Sequence, residues 1–167
     1  MQAAADQDKL IREKTFLLMV PLFAFAGLFW SCLYIYYDAK FLAVIPGGYT
    51  LISFLSLLIY RWYRNFNVFR TVQLTLILLL PCLLHLALGS FVSSSAVIIW
   101  ATLCPLGALA FQNSKAAGYW LFLFIICMIL VFFLENKMAI NETHLPEELI
   151  SILFVLNISG VTALMFY

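Results

Sequence analysis

Few residues in this 167-residue chain have side chains able to do chemistry: two histidines, four cysteines and eight carboxylates. Cys32, Cys82, Cys104 and Cys127 contain no C-x-x-C pair. Neither a zinc site nor a disulfide framework follows, and the four read as small apolar packing residues. There is no G-x-S-x-G, no H-E-x-x-H and no G-x-x-x-x-G-K, so no hydrolase, metalloprotease or phosphate-cradling signature is present. Catalytic residues and metal ligands are therefore assigned to no position. His85 reads first as a neutral ring bonded to a neighbouring carbonyl and second as a ligand contact. Haem ligation would want a second histidine within reach, and His144 falls in a loop. With Tyr49, Trp100 and Asn157, His85 makes up the candidate ligand-binding set.

The elements that must position these residues follow from composition. Apolar residues make up 65% and charged residues 10% of the chain, with a mean hydropathy of +1.05. Soluble domains are nearer half apolar and a quarter charged, so most of this surface belongs in lipid. A net charge of +1 argues against a nucleic-acid partner, which calls for a concentrated basic face. The expected fold class is an all-α membrane protein, a six-transmembrane-helix bundle. Its spans are 16–37, 41–60, 72–88, 95–111, 116–134 and 149–167, none containing Asp, Glu, Lys or Arg. Each has about the 17–25 residues that cross a bilayer as a helix, whereas spanning strands would be half as long and alternate in polarity. Residues 1–15 are expected to form a cytoplasmic lead helix running into an uncleaved first span, since no small-x-small cleavage site follows.

Orientation follows from the cations. With the N-terminus inside, Lys9, Arg12, Lys14, Arg61, Arg64, Arg70 and Lys115 lie on the cytoplasmic side, leaving only Lys40 and Lys137 outside. Both termini are then cytoplasmic. Trp62 and Trp120, beside Arg61 and Lys115, suit the headgroup zone. His144–Leu145–Pro146–Glu147–Glu148 reads as a helix start, with proline and two acids in the first turn. Asn141–Glu142–Thr143 matches a glycosylation sequon. Pro21, Pro46, Pro81 and Pro105 fall one in each of the first four spans. Pro46–Gly47–Gly48 is expected to break the outer end of span 2, either as a fixed kink or as a mobile half that encloses a ligand. Gln73, Asn157, Ser159 and Thr162 are expected to bond between helices, and Cys104/Ala108 and Ser159/Ala163 to permit close helix contact. No ionisable pair sits at membrane depth, as a transporter would normally require.

A family resemblance lies in the middle of the chain. Phe69–Arg70 and Gln73–Leu74 open span 3, Leu78–Leu79–Leu80–Pro81 follows, and Gly89, Phe91, Ser94, Ala96, Val97 and Trp100 lead into span 4. Pro105–Leu106–Gly107–Ala108–Leu109 ends it. This pattern resembles the six-helix membrane domain of bacterial class III adenylate/guanylate cyclases, with Ser90 where a second glycine is usual. Ile45–Pro46 and Tyr49 in span 2, and Asn157 with Gly160–Val161 in span 6, also fit. The likeness covers residues 16–167 and is most specific over 69–111.

The resemblance implies a multi-pass protein of the bacterial inner membrane, contacting lipid and forming a homodimer. Tyr167 closes the last span with no cation behind it, so a cytoplasmic continuation is expected. It would be a helical transducer, then a catalytic domain, a phosphorus–oxygen lyase, making cyclic AMP from ATP. ATP and two divalent ions, Mg or Mn, are expected only for that domain; no cofactor is expected for residues 1–167. The membrane domain would promote dimerisation and pass a lipid or apolar-ligand signal through span 6. Alternatives are a substrate-binding subunit of a vitamin transporter, a scaffold protein of cell-wall elongation, or the same input module on a histidine kinase.

Overall fold

The computed structural model describes residues 2–138 and 145–166, and side chains of 7–135 and 145–166. The sequon Asn141–Thr143, His144, the Lys137 side chain and Tyr167 lie outside the described residues. Six α-helices follow in order: α1 Gln2–Tyr36, α2 Lys40–Tyr63, α3 Phe66–Leu88, α4 Leu103–Phe111, α5 Ser114–Met138 and α6 Glu147–Phe166. A 3₁₀ segment, Val97–Thr102, runs directly into α4. The fold is an all-α bundle, and five helices, all but α4, are long and apolar enough to cross a membrane.

The helices overrun the charge-free spans because lipid depth ends before the helical hydrogen bonding does. The lead segment and first span form one helix, about 52 Å long at 1.5 Å per residue. At one end of the bundle, Phe16 and Val20 of α1 pack with Phe69 of α3, beside Tyr60, Phe66 and Phe111. At the other end, Tyr34, Ala39, Leu42, Leu84, Val97, Leu145 and Leu149 form a second cluster. Between them Leu74, Leu78, Cys82, Ala101, Cys104, Ala108 and Val131 make a third. Six helical segments therefore run alternately between the two ends, the 3₁₀ segment and α4 acting together as one.

That fourth segment departs from the expected regular helix over 95–111. Ser95 and Ala96 take left-handed backbone, φ 52° and 53°, which keeps an α-helix from starting there. Pro105 then sits in the first turn of α4, where a missing N–H costs nothing. Six residues at the 3₁₀ rise and nine at the α rise reach about 25 Å, close to a bilayer core of about 30 Å.

The expected break at Pro46–Gly47–Gly48 is absent; α2 runs through it unbroken. Proline removes the bond to Leu42 and crowds its turn, and α1 packs closely against the site. Ser31 Oγ donates to Ala43 O (2.9 Å), and Thr50 Oγ1 donates to Ala24 O (2.9 Å) and Pro46 O (3.1 Å). Gly27 makes this approach possible: a Cβ there would lie 2.8 Å from Thr50 Oγ1, 3.0 Å from Tyr49 Cδ1 and 3.1 Å from Pro46 O. The glycines let two backbones touch rather than break one.

Local signals set the other boundaries. Asn65 caps α3 by accepting from Val68 N (3.3 Å), and Gly89 ends it at φ 91°. α6 starts at Glu147, with Ile150 N bonded to Pro146 O (3.1 Å), as the proline–acid signature requires. Arg12 Nη1 donates to Ala110 O (3.0 Å) and Arg70 Nη1 to Phe111 O (2.9 Å), so two cations satisfy the last carbonyls of the short α4. Large apolar side chains such as Leu18, Trp62 and Phe166 face outward, as suits a chain whose solvent is hydrocarbon.

Candidate functional site

The site is built where α6 meets the bundle. Leu149, Leu153, Asn157 and Val161, four residues apart, make the buried stripe of α6. That stripe seats chiefly on the 3₁₀ segment and the serine turn before it. The turn, Gly89–Ala96, closes on itself: Ser94 N bonds Ser90 O (2.8 Å), Ala96 N bonds Phe91 O (3.2 Å), and Ser93 Oγ donates to Leu88 O (2.7 Å). Buried irregular backbone at this depth needs such satisfaction.

Asn157 fastens α6 to this turn. Its Oδ1 accepts from Trp100 Nε1 (2.8 Å) and its Nδ2 donates to Ser95 O (2.9 Å). Indole N–H only donates, which fixes the amide orientation. Gly160, one turn on, lets α6 lie against the Trp100 ring; a Cβ there would be 3.1 Å from Cζ2. The two consecutive left-handed residues, Ser95 and Ala96, are sterically costly. The bond from Asn157 to the Ser95 carbonyl holds the first of them.

Trp100 also walls a cavity of about 240 Å³, with Tyr49, Phe23, Trp30, Leu156 and Gly160 among its lining. A neighbouring cavity of about 440 Å³ extends toward the end marked by Thr15 and Phe111. Tyr49 lines both, and its buried hydroxyl has no hydrogen-bond partner among the described residues. The structure thus brings three of the four candidate residues together: Tyr49 and Trp100 at the cavity, Asn157 behind Trp100. His85 stands apart. Its Nδ1 pairs with Ser94 Oγ (2.9 Å), not with the carbonyl expected, and its ring lies 4.5 Å from that of Phe91. Its Nε2 is 3.7 Å from Glu135 Oε2 on α5.

Other polar expectations divide. Gln73 is fully buried, donating to Ser56 Oγ (2.7 Å) and accepting from Ser53 Oγ (3.3 Å). Ser159, Thr162 and Ala163 instead face outward, because the buried stripe of α6 falls on Asn157 and Val161. Cys104 and Ala108 are both fully buried, as close packing requires. Sequence reasoning missed Ser94, Ser95, Gly27 and Glu135 as site-building residues. The Ser93–Ser94–Ser95 run was the available signal for the turn; nothing local marks Glu135 as a neighbour of His85. Among the described residues no three His, Cys, Asp or Glu gather to hold a metal ion. No family model, no curated protein and no solved structure matches this chain.

Proposed function

We propose that this bundle is the anchor and input domain of a bacterial membrane-bound class III adenylate cyclase, seated in the inner membrane with six crossings and both termini cytoplasmic. As a homodimer it raises the local concentration of two catalytic halves, since cyclase sites of this class form between subunits. A lipid or other apolar ligand held beside Trp100 biases the position of α6, which carries the change to a catalytic domain making cyclic AMP from ATP. A ligand shifts such an equilibrium only by its differential affinity, and about 1–3 kcal/mol changes output roughly 5–150-fold.

One observation carries the reading: α6 is fastened to the bundle through a single buried amide beside a cavity it helps to line. A helix whose polar fastening is one aromatic ring and one turn, its other contacts being apolar, has the construction of a movable element. The cations support the orientation, with Arg12 and Arg70 bonded at the same end of the bundle. Residues of the stretch 69–111 that carries the resemblance touch one another. Gly107 lies under Leu74, with 3.2 Å to a built Cβ, and Arg70 reaches Phe111.

The test is a fusion of residues 1–167 to a cyclase catalytic domain in two helical phases. Inserting one residue after α6 turns the output by about 100°. Distinct activities in the two phases are expected; identical activities sink the reading.

A further inference from the structure

The two cavities adjoin at Phe23, Tyr49, Ile77 and Leu103, which line both, and lie end to end as a groove walled by α1, α2, α3, the 3₁₀ segment, α4 and α6. Along α1 the wall runs from Thr15 to Trp30, about 22 Å at the helical rise. One leaflet's hydrocarbon depth is only about 15 Å, half the bilayer core. No Asp, Glu, Lys, Arg or His lines either half, so a buried ionic group would find nothing there to replace its water.

The groove is open sideways. Phe29 on α1 and Leu156 on α6 stand on its rim, 55% and 41% exposed, at a depth where the surroundings are lipid tails. Its far end, at Thr15, Ala110, Phe111 and Met165, meets the basic end of the bundle. There Arg12, on the groove face of α1, uses one N–H on Ala110 O and makes no other hydrogen bond among the described residues. Glu13, the acid next to it in the chain, is occupied by the Tyr60 hydroxyl. Arg12 and Arg70 tie α1 and α3 to the end of α4.

From this geometry we infer that the groove binds one extended long-chain carboxylic acid, its tail between α1 and α6 and its carboxylate against Arg12. This names the ligand of the input domain proposed above and rests on that reading. Length, lateral access, an uncharged wall and a cationic mouth are the four properties such a molecule needs. Its terminal carbons would lie against Trp100 and Leu156, beside the fastening of α6.

The test uses the full chain in phosphatidylcholine nanodiscs with palmitate carrying a terminal diazirine. Labelling is expected on peptides holding Trp30, Leu84 or Trp100, competed by oleate but not by oleyl alcohol or phosphatidylglycerol. Ala26→Phe, which fills the exposed rim, should abolish that labelling with an unchanged Tm; Leu156→Phe is the second variant if the first misfolds. Arg12→Gln should weaken oleate competition about fivefold, the worth of one cation at a membrane surface, while Lys14→Gln, on the opposite face of α1, should leave it unchanged. Labelling confined to the outer face of α5, equal competition by phosphatidylglycerol or oleyl alcohol, or full labelling of both rim variants overturns the proposal. Labelling in the groove together with a fused cyclase indifferent to oleate would overturn the input reading and leave the site standing. An oleate-responsive cyclase with an unlabelled groove would do the reverse.

Discussion

The crossing of α1 on α2 and the seat of α6 are held by opposite means. At the first, Gly27 admits Tyr49, Thr50 and the Pro46 carbonyl to within 3.1 Å of where a Cβ would stand, and two hydroxyls bond across to backbone oxygens. At the second, one amide and one indole carry the polar contact, and the rest is Leu149, Leu153 and Val161 on an apolar surface. Within lipid there is no hydrophobic force to press helices together, so joints depend on close packing and internal hydrogen bonds. The first joint has two such bonds from two different residues, with close approaches at Gly27 and Gly47 added to them. The second has two, both on one residue; the cavity flanks both joints, with Gly27, Pro46 and Tyr49 on one side and Leu156 and Gly160 on the other. A rigid pair and a lightly fastened helix in one bundle are what a domain needs to hold position while one element moves.

The comparison breaks if the α1–α2 joint proves soft. Gly27→Val should be the most damaging single change, destabilising the bundle by about 3 kcal/mol through overpacking, read as a fall in Tm in detergent. Gly48→Val, where a Cβ meets nothing within 4 Å, is the matched control and should leave most of that loss behind.

Asn157→Leu should cost about 1–2 kcal/mol, since it strands Trp100 Nε1 and the Ser95 carbonyl. Hydrogen exchange should show the loss in α6 and the serine turn while α1 and α2 stay protected; a uniform loss would erase the distinction between the joints. A double-mutant cycle of Asn157→Leu with Trp100→Phe should return a coupling of about 0.6–1.7 kcal/mol, the range for such bonds in membranes.

Arg70→Met, which uncovers the Phe111 carbonyl, should cost about 1 kcal/mol and loosen α4 alone, measured by exchange at its last turn. Ser159→Leu, on the outward face of α6, should change stability by less than about 0.5 kcal/mol. A larger loss would mean that face is covered, and would point to a contact with another chain.

Much of this was legible beforehand, for reasons visible at particular residues. Asn65, Gly89 and Pro146 mark helix ends because their chemistry is local. Tyr49 and Trp100 were readable as amphipathic groups in otherwise apolar spans, and both line the cavity. The neighbours of His85 were not readable, since Ser94 reaches it through a turn and Glu135 from two helices further on. Ser159 misled for a related reason: small-residue spacing says that contact is permitted, and only the neighbour decides whether it occurs.

By itself the order of amino acids determined the solvent of this protein, the number of helical segments and the sign of charge at each end. Those are sums over short windows, insensitive to what packs where. Tertiary structure alone decided that Pro46–Gly47–Gly48 is a seam and not a break, that the fourth segment begins as a 3₁₀ helix, and that Asn157 closes on Trp100 and Ser95. Each of these depends on a hydroxyl, a ring or a carbonyl supplied by a distant segment, and no local pattern encodes the arrival of a partner.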